Sequence, residues 1–129
     1  KGYVDGVLTV TDRKGKVIHW LIDWKFTGFW SADKKRNPKV TLQLVLYKHF
    51  WCLKHGIPLK DVRCGFVLAK KQAKPGKTFE LVTVSVGPKT LEAGLKTLRS
   101  MLGSVQRGFA PKKRTGCKFC PYAGTEHCP

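Results

Sequence analysis

The stretch IDWKFT, residues Ile22–Thr27, decides the interpretation of this chain because it places two charges inside an otherwise apolar strand pattern. Side chains alternate between the faces of a strand, so Asp23 and Lys25 share one face and Trp24 points to the other. Every second residue from Ile18 to Phe26, the set that includes Trp24, is apolar, and we expect this face to pack on the core. Because a buried carboxylate beside an ammonium is costly to desolvate, the pattern favours a divalent metal on Asp23, with Lys25 beside a reacting phosphate.

The preceding strand brings a second carboxylate to the same place. Residues 2–10 alternate as a strand does, and DRKGK at 12–16 supplies a turn. If Thr11 pairs with Val17, Asp5 lies opposite Asp23, with the two Cβ atoms about 4.5–5.5 Å apart. A register shifted by one residue would put the carboxylates on opposite faces. The hairpin therefore predicts a metal site with two carboxylates.

The composition indicates one basic, intracellular domain. The 129 residues include 25 Lys and Arg but only 8 Asp and Glu. The resulting formal charge of +17 favours a polyanionic partner, first of all nucleic acid. The basic residues are scattered and no apolar run reaches the length of a membrane span, so we expect no membrane association. Five cysteines, an odd number, are typical of a reducing compartment and predict a cytoplasmic protein. Cys52 and Cys64 are interpreted as small buried apolar residues.

The rest of the chain has an α/β pattern. The predicted elements are a hairpin of Tyr3–Thr11 and Val17–Phe26, a polar loop from Thr27 to Pro38, a helix from Lys39 to about His55, strands at Val62–Lys70 and Phe79–Val86, and a helix from Pro88 to about Val105. The second helix is expected to bury Leu91, Leu95, Leu98 and Leu102. We predict a core domain over residues 1–108, followed by a basic linker and a cysteine tail over 109–129.

Two features of the middle of the chain are a tryptophan in the polar loop and a polar pair in the first long helix. Trp30 either offers a platform on which a base stacks or anchors its loop on the core. Gln43 and Tyr47 are four residues apart and so share one face of the predicted helix. Taken alone, such a polar pair is typical of a structural hydrogen bond.

The chain closes on CKFCPYAGTEHCP, residues 117–129, which has the spacing of a metal knuckle. Cys117 and Cys120 are three residues apart and Cys128 follows eight later, a density of thiolates typical of zinc or an iron–sulfur cluster. Zinc would take these three cysteines with His127, although adjacent ligands strain a tetrahedral site. A cluster needs four cysteines, and this tail offers three.

These motifs resemble the RecB-type branch of the PD-(D/E)XK nucleases. The closest likeness is to its iron–sulfur members, which are the CRISPR adaptation exonucleases, the AddB nuclease domain and related phage exonucleases. The resemblance rests on GYVDG at 2–6, IDWK at 22–25, QLVLY at 43–47 and the closing CxxC and Cys-Pro, in family order over almost the whole chain. It implies a restriction-endonuclease-like α/β core, in which helices flank a mixed β-sheet, with a C-terminal cysteine metal knuckle.

The resemblance also implies roles for the strand residues. Asp5 and Asp23 would ligate magnesium or manganese, and the carbonyl of Trp24 would be a further ligand. Lys25 would orient or activate the attacking water and stabilise the charge that builds on phosphorus. The expected function is that of a metal-dependent DNA nuclease that acts as an exonuclease. Its expected partner is DNA, either single-stranded or at the ends of a duplex. The alternative is a nuclease-fold DNA-binding subunit of a larger complex, with weak or no cleavage.

Further roles fall on the helix and the tail. By the resemblance, Gln43 and Tyr47 would position the catalytic strand and the DNA backbone, and Cys117, Cys120 and Cys128 would hold three corners of a 4Fe-4S cluster. In the family a helix before the first strand carries a metal-site histidine and the first cysteine of the cluster. That helix is absent from this sequence, so we expect a longer protein or a protein partner to supply it.

Overall fold

The computed structural model describes residues 2–27, 30–109, 117–118, 120–126 and 128. The chain divides into two compact units, the first ending at Thr97 and the second beginning at Leu98. Its elements are, in order, β1 (Gly6–Thr11), β2 (Val17–Thr27), α1 (Ala32–Arg36), α2 (Pro38–His55), a 3₁₀ turn (Leu59–Asp61), β3 (Val62–Lys70), β4 (Phe79–Val84) and α3 (Pro88–Gln106). The predicted α/β class is confirmed, and the loop expected between residues 27 and 38 contains the short helix α1.

The four strands form one mixed sheet in the order β1-β2-β3-β4. The hairpin β1–β2 is antiparallel and pairs Thr11 with Val17, which confirms the predicted register. Strands β2 and β3 are parallel, because α1 and α2 carry the chain back to the starting edge between them. Strand β4 returns antiparallel to β3. The carboxyl ends of β2 and β3 therefore meet at the same edge of the sheet.

Helix α2 is delimited by local sequence signals. The side chain of Asn37 caps its start by accepting a hydrogen bond of 2.9 Å from the backbone N–H of Lys39, and Pro38 occupies the first turn. Gly56, with a φ of 64°, ends the helix in the left-handed conformation that glycine adopts without strain. Its buried apolar residues are Leu44, Val45 and Cys52.

The core lies between α2 and the sheet face that carries Asp23, which we call the inner face. Its buried members are Leu21, Trp30, Leu44, Cys52, Val62, Cys64, Phe66, Leu68, Val82 and Val84. Cys52 and Cys64 are buried as predicted. Trp30 is an anchor on the core, because it is buried with its ring 5.3 Å from that of Phe66.

The expectation that the Trp24 side of β2 is buried is correct for Ile18 and Ile22 and wrong for Trp24 and Phe26. That side belongs to the opposite face of the sheet, which we call the outer face, and α2 packs on the inner one. Ile18 and Ile22 are buried there, but Trp24 is 45% exposed and Phe26 is 80% exposed. Cross-strand pairing places further exposed residues on this face, namely Leu8, Val10, Phe79 and Leu81. The outer face is thus an apolar surface exposed to solvent.

Within the first unit, α3 packs closely on α2 through Gly94. A Cβ built on Gly94 would lie 2.8 Å from Cγ1 of Val45, so a side chain at this position would force Val45 to shift. The buried stripe predicted for α3 is only partly correct, because Leu91, Leu95 and Leu98 are half-buried and Leu102 is exposed. Of the helices in the described ranges, none has the length and apolar character needed to cross a membrane.

Candidate active site

The centre of the candidate site is the pair formed by Asp23 and Lys25 on the inner face of β2. The carboxylate of Asp23 is 1% exposed, and the ammonium of Lys25 lies 2.5 Å from its Oδ2 atom. The side chain of Lys25 is 35% exposed and its Nζ atom lies 5.8 Å from the centroid of the Phe66 ring. The carboxylate is therefore fixed inside the sheet, whereas the lysine reaches from it toward the surface.

The Oδ2 atom of Asp23 is a buried acceptor without a hydrogen bond among the described residues. Lys25 contacts it as an ion pair, but the approach lacks the angles of a hydrogen bond. Carboxylate oxygens are hard donors, and these are the ligands that magnesium and manganese prefer. The chemistry of this oxygen therefore fits a divalent cation.

Asp5 lies beside this pair at the start of the hairpin. Gly6 pairs with Ile22 in the antiparallel register. Asp5, which precedes Gly6, therefore lies opposite Asp23, which follows Ile22. The Oδ2 atom of Asp5 accepts a hydrogen bond of 3.0 Å from the backbone N–H of Trp24. Asp5 is exposed, so the site joins one buried carboxylate to one that faces solvent.

The helix pair predicted from the sequence is in contact. Nε2 of Gln43 donates a hydrogen bond of 2.9 Å to the hydroxyl oxygen of Tyr47, and both side chains are half-buried in α2. The chain segment that leads into Asp5 passes directly over Tyr47, since a Cβ built on Gly2 would lie 2.9 Å from Cε1 of that ring. Tyr47 thus supports the segment from which Asp5 projects.

A third group near the site was not recognised from the sequence. The carboxylate of Glu80 in β4 forms ion pairs with Lys35 of α1 and, at 2.7 Å, with Lys70 of β3. Glu80 lies in the same cross-strand row as Lys25, because Leu68 of β3 pairs with both. The hydrogen bonds from Lys35 and then Lys70 lower the pKa of Glu80 below its ordinary value. Glu80 therefore ties α1 to the sheet on the face that carries Asp23.

The tail cysteines belong to the second unit. Cys117, Cys120 and Cys128 are free thiols. The backbone N–H of Cys120 donates to the carbonyl of Cys117 at 3.1 Å, and Gly124 N–H donates to the carbonyl of Cys128 at 3.0 Å, so the segment folds back on itself. Three thiols provide the soft donors that zinc or an iron–sulfur cluster takes. The proposed alternative ligand His127 lies outside the described residues.

No group of three His, Cys, Asp or Glu side chains is arranged to hold a metal ion in the described ranges. The fit to a divalent cation therefore rests on the two carboxylates of the hairpin, and the thiols do not form a preassembled site. Compared with models of known protein families and with curated protein sequences, the chain matches none.

Proposed function

We propose that this chain is a metal-dependent deoxyribonuclease that hydrolyses phosphodiester bonds at the hairpin site. The observation that carries the proposal is the meeting of two carboxylates: Oδ2 of Asp23 is buried without a hydrogen bond among the described residues, and Asp5 lies beside it in the hairpin register. Oδ1 of Asp61 is in the same state beside Lys16, so the feature that favours a cation at Asp23 is the second carboxylate next to it. The net charge of +17 supports a polyanionic substrate, and DNA is the proposed one.

The residues of the site divide the work. Asp23 and Asp5 would hold magnesium or manganese, with the Trp24 carbonyl as a further ligand. A cation bound there supplies Lewis-acid stabilisation of the phosphate and a more acidic bound water. Lys25 would place its positive charge where negative charge grows on the phosphate oxygens, and its half-exposed side chain leaves room to reach them. Gln43 and Tyr47 would hold the Asp5 segment against the catalytic strand.

A second function is favoured by one specific observation. The ammonium of Lys25 already balances the charge of Asp23, so the pair is stable as a structural feature without a metal. On that basis the chain would be a nuclease-fold subunit that grips DNA in a larger complex and cleaves it weakly or not at all. Asp5 argues against this alternative, because a second carboxylate beside a phosphate weakens pure binding.

The family assignment and the cluster are parts of the same proposal. The motifs around Asp5, Asp23 and Lys25 support an iron–sulfur RecB-type nuclease with a restriction-endonuclease-like core. Cys117 and Cys120 would then hold a 4Fe-4S cluster with Cys128, and the fourth ligand would come from outside this chain. Zinc is the alternative occupant. Iron, sulfide and zinc analysis of anaerobically purified protein decides between them, and a protein that carries none of the three contradicts both.

The experiment that tests the function compares wild type with Asp23→Asn. Wild type should release nucleotides from labelled DNA when magnesium or manganese is present and not in EDTA. Asp23→Asn should abolish release, while Asp33→Asn in α1, which removes an equal charge, should leave it unchanged. Manganese should also raise the melting temperature of wild type but not of Asp23→Asn, because only a bound ligand stabilises the folded state. Release by Asp23→Asn at the wild-type rate would contradict the proposed function.

A further inference from the structure

We infer that the β3–β4 turn, residues 70–78, is a binding surface for the phosphate backbone of the nucleic-acid strand that the hairpin site would cleave. The inference rests on the proposed function, and it names a surface to which neither the sequence motifs nor the resemblance assigns a role. The turn has the sequence KKQAKPGKT. Four of its nine residues are lysines and none is acidic.

The turn lies at the edge of the sheet that is nearest to Lys25. Lys25 pairs with Leu68, and Thr27 pairs with Lys70, which is the last residue of β3. The backbone N–H of Lys71 donates to the carbonyl of Thr27 at 3.1 Å and so fixes the turn to the end of β2. The turn thus begins two residues beyond Lys25, about 7 Å along the strand at roughly 3.3 Å per residue. A nucleic-acid strand whose scissile phosphate lies at Lys25 therefore has its neighbouring phosphates within reach of this turn.

The turn carries unneutralised positive charge. Lys71, Lys74 and Lys77 are exposed, and they form no ion pair within the part of the chain that the structure describes. Lys70 differs, because its ammonium is paired with Glu80 at 2.7 Å. Exposed lysines bind phosphates mainly through charge and release condensed counterions, without reading base identity. The chemistry of the turn therefore fits a nucleic-acid backbone.

The turn is also ordered before any ligand binds. Lys70 N–H donates to the carbonyl of Thr78 at 2.8 Å, and Lys77 N–H donates to the carbonyl of Lys74 at 3.0 Å. Gly76 supplies the positive φ of 79° that the tight turn requires. A surface that is already shaped loses less conformational entropy on binding than a flexible tail of the same charge.

The β1–β2 turn provides a matched control. Residues 12–16 also carry three cations, but they lie at the opposite end of β2, about 30 Å away for a strand of 11 residues. Asp12 accepts hydrogen bonds from the backbone N–H groups of Lys14 and Lys16, and Lys16 is paired with Asp61 at 2.5 Å. Arg13 and Lys14 can therefore be replaced without changing the charge near the candidate site.

The test measures binding of a fluorescent single-stranded DNA oligonucleotide by anisotropy in EDTA over a range of salt. Lys74→Ser/Lys77→Ser should weaken binding and reduce the slope of log K against log salt by about 1.4, since each lost phosphate contact removes roughly 0.7. Arg13→Ser/Lys14→Ser should leave the slope close to that of wild type. Equal losses in both double variants, or an unchanged slope in the first, would overturn the inference.

The two proposals fail in different ways. Binding in EDTA does not depend on cleavage, so its outcome stands even if Asp23→Asn proves as active as wild type. In the metal-loaded protein, Lys74→Ser/Lys77→Ser should raise KM and leave kcat within about twofold, because the lysines would act on binding alone. Metal-dependent cleavage with an unchanged KM in that variant would reject the turn while leaving the proposed function intact.

Discussion

The ammonium of Lys25 lies 2.5 Å from the Oδ2 atom of Asp23, which is buried in the sheet at 1% exposure. The two residues are separated by one position on β2, so the same face presents both charges. Burial of the carboxylate makes the lysine its main source of compensation, because water does not reach it. This pair therefore links the stability of the sheet to the chemistry proposed for the site.

The first prediction concerns the removal of Lys25. Lys25→Met should lower the free energy of unfolding by about 1–3 kcal/mol, because it leaves the Asp23 carboxylate buried without a compensating charge. The double variant Lys25→Met/Asp23→Asn should recover most of the loss. Urea unfolding in EDTA measures both. Lys16→Met is the comparison, and it should cost less than Lys25→Met, since the Asp61 carboxylate that it leaves behind is 20% exposed, whereas Asp23 is 1% exposed.

The second prediction concerns the pH dependence contributed by Glu80. Hydrogen bonds from Lys35 and Lys70 lower the pKa of this carboxyl from its ordinary value of 4.5. Because the folded-state pKa is the lower one, the stabilisation is fully present above about pH 5 and is lost as the pH falls below 4.5. Glu80→Gln should therefore be less stable than wild type at pH 7, and the difference should shrink toward pH 3. A difference that stays constant over this range in urea unfolding would contradict the assignment.

The third prediction concerns thiol reactivity. Burial raises the pKa of Cys64 to about 12, although the nearby Lys48 acts in the opposite direction, and burial also raises the pKa of Cys52. Since the thiolate is the reactive form, neither cysteine should react with iodoacetamide at pH 8 in the native protein. Cys120 is exposed and should react first. Peptide mass spectrometry before and after unfolding in urea checks the order, and early alkylation of Cys64 would disprove its burial.

The fourth prediction concerns the contact between α2 and α3. Gly94→Ala should destabilise the protein by about 1–3 kcal/mol, because the new Cβ would lie 2.8 Å from Cγ1 of Val45 and 3.4 Å from Cδ1 of Leu42. This loss has to exceed the gain of about 1 kcal/mol that alanine brings to a helix. Gly103→Ala in the same helix is the matched control, since among the described residues only the side chain of Arg107 is near, and it should stabilise. Thermal unfolding of both variants measures the contrast, and stabilisation by Gly94→Ala would show that the helices can move apart.

The hairpin was predictable because its contacts are local. The turn between Thr11 and Val17 fixes the register, and the register in turn places Asp5 beside Asp23. Period-2 alternation distinguishes the two faces of β2, but it does not tell which face a helix will cover. For that reason the sequence pattern predicts Trp24 in the core, whereas its side chain is 45% exposed.

The contacts that the sequence did not reveal depend on the distant pairing of strands. Glu80 reaches the row of Lys25 only through Leu68, and that row exists because β3 joins β2 after a crossover of more than thirty residues. Trp30 had two interpretations for a similar reason. Its burial depends on contact with Phe66, which lies in a strand that the local sequence around Trp30 does not specify.

The exposed outer face of the sheet makes the self-association of this protein sensitive to salt. At low ionic strength, molecules that each carry a net charge of +17 repel one another, so their apolar faces stay apart. At 0.15 M salt the Debye length shrinks to about 8 Å, while the attraction between apolar surfaces persists. Salt that would release the proposed nucleic-acid ligand should therefore also lower the colloidal stability of the free protein. Phe26 and Trp24 would then limit the concentration at which the protein can be handled.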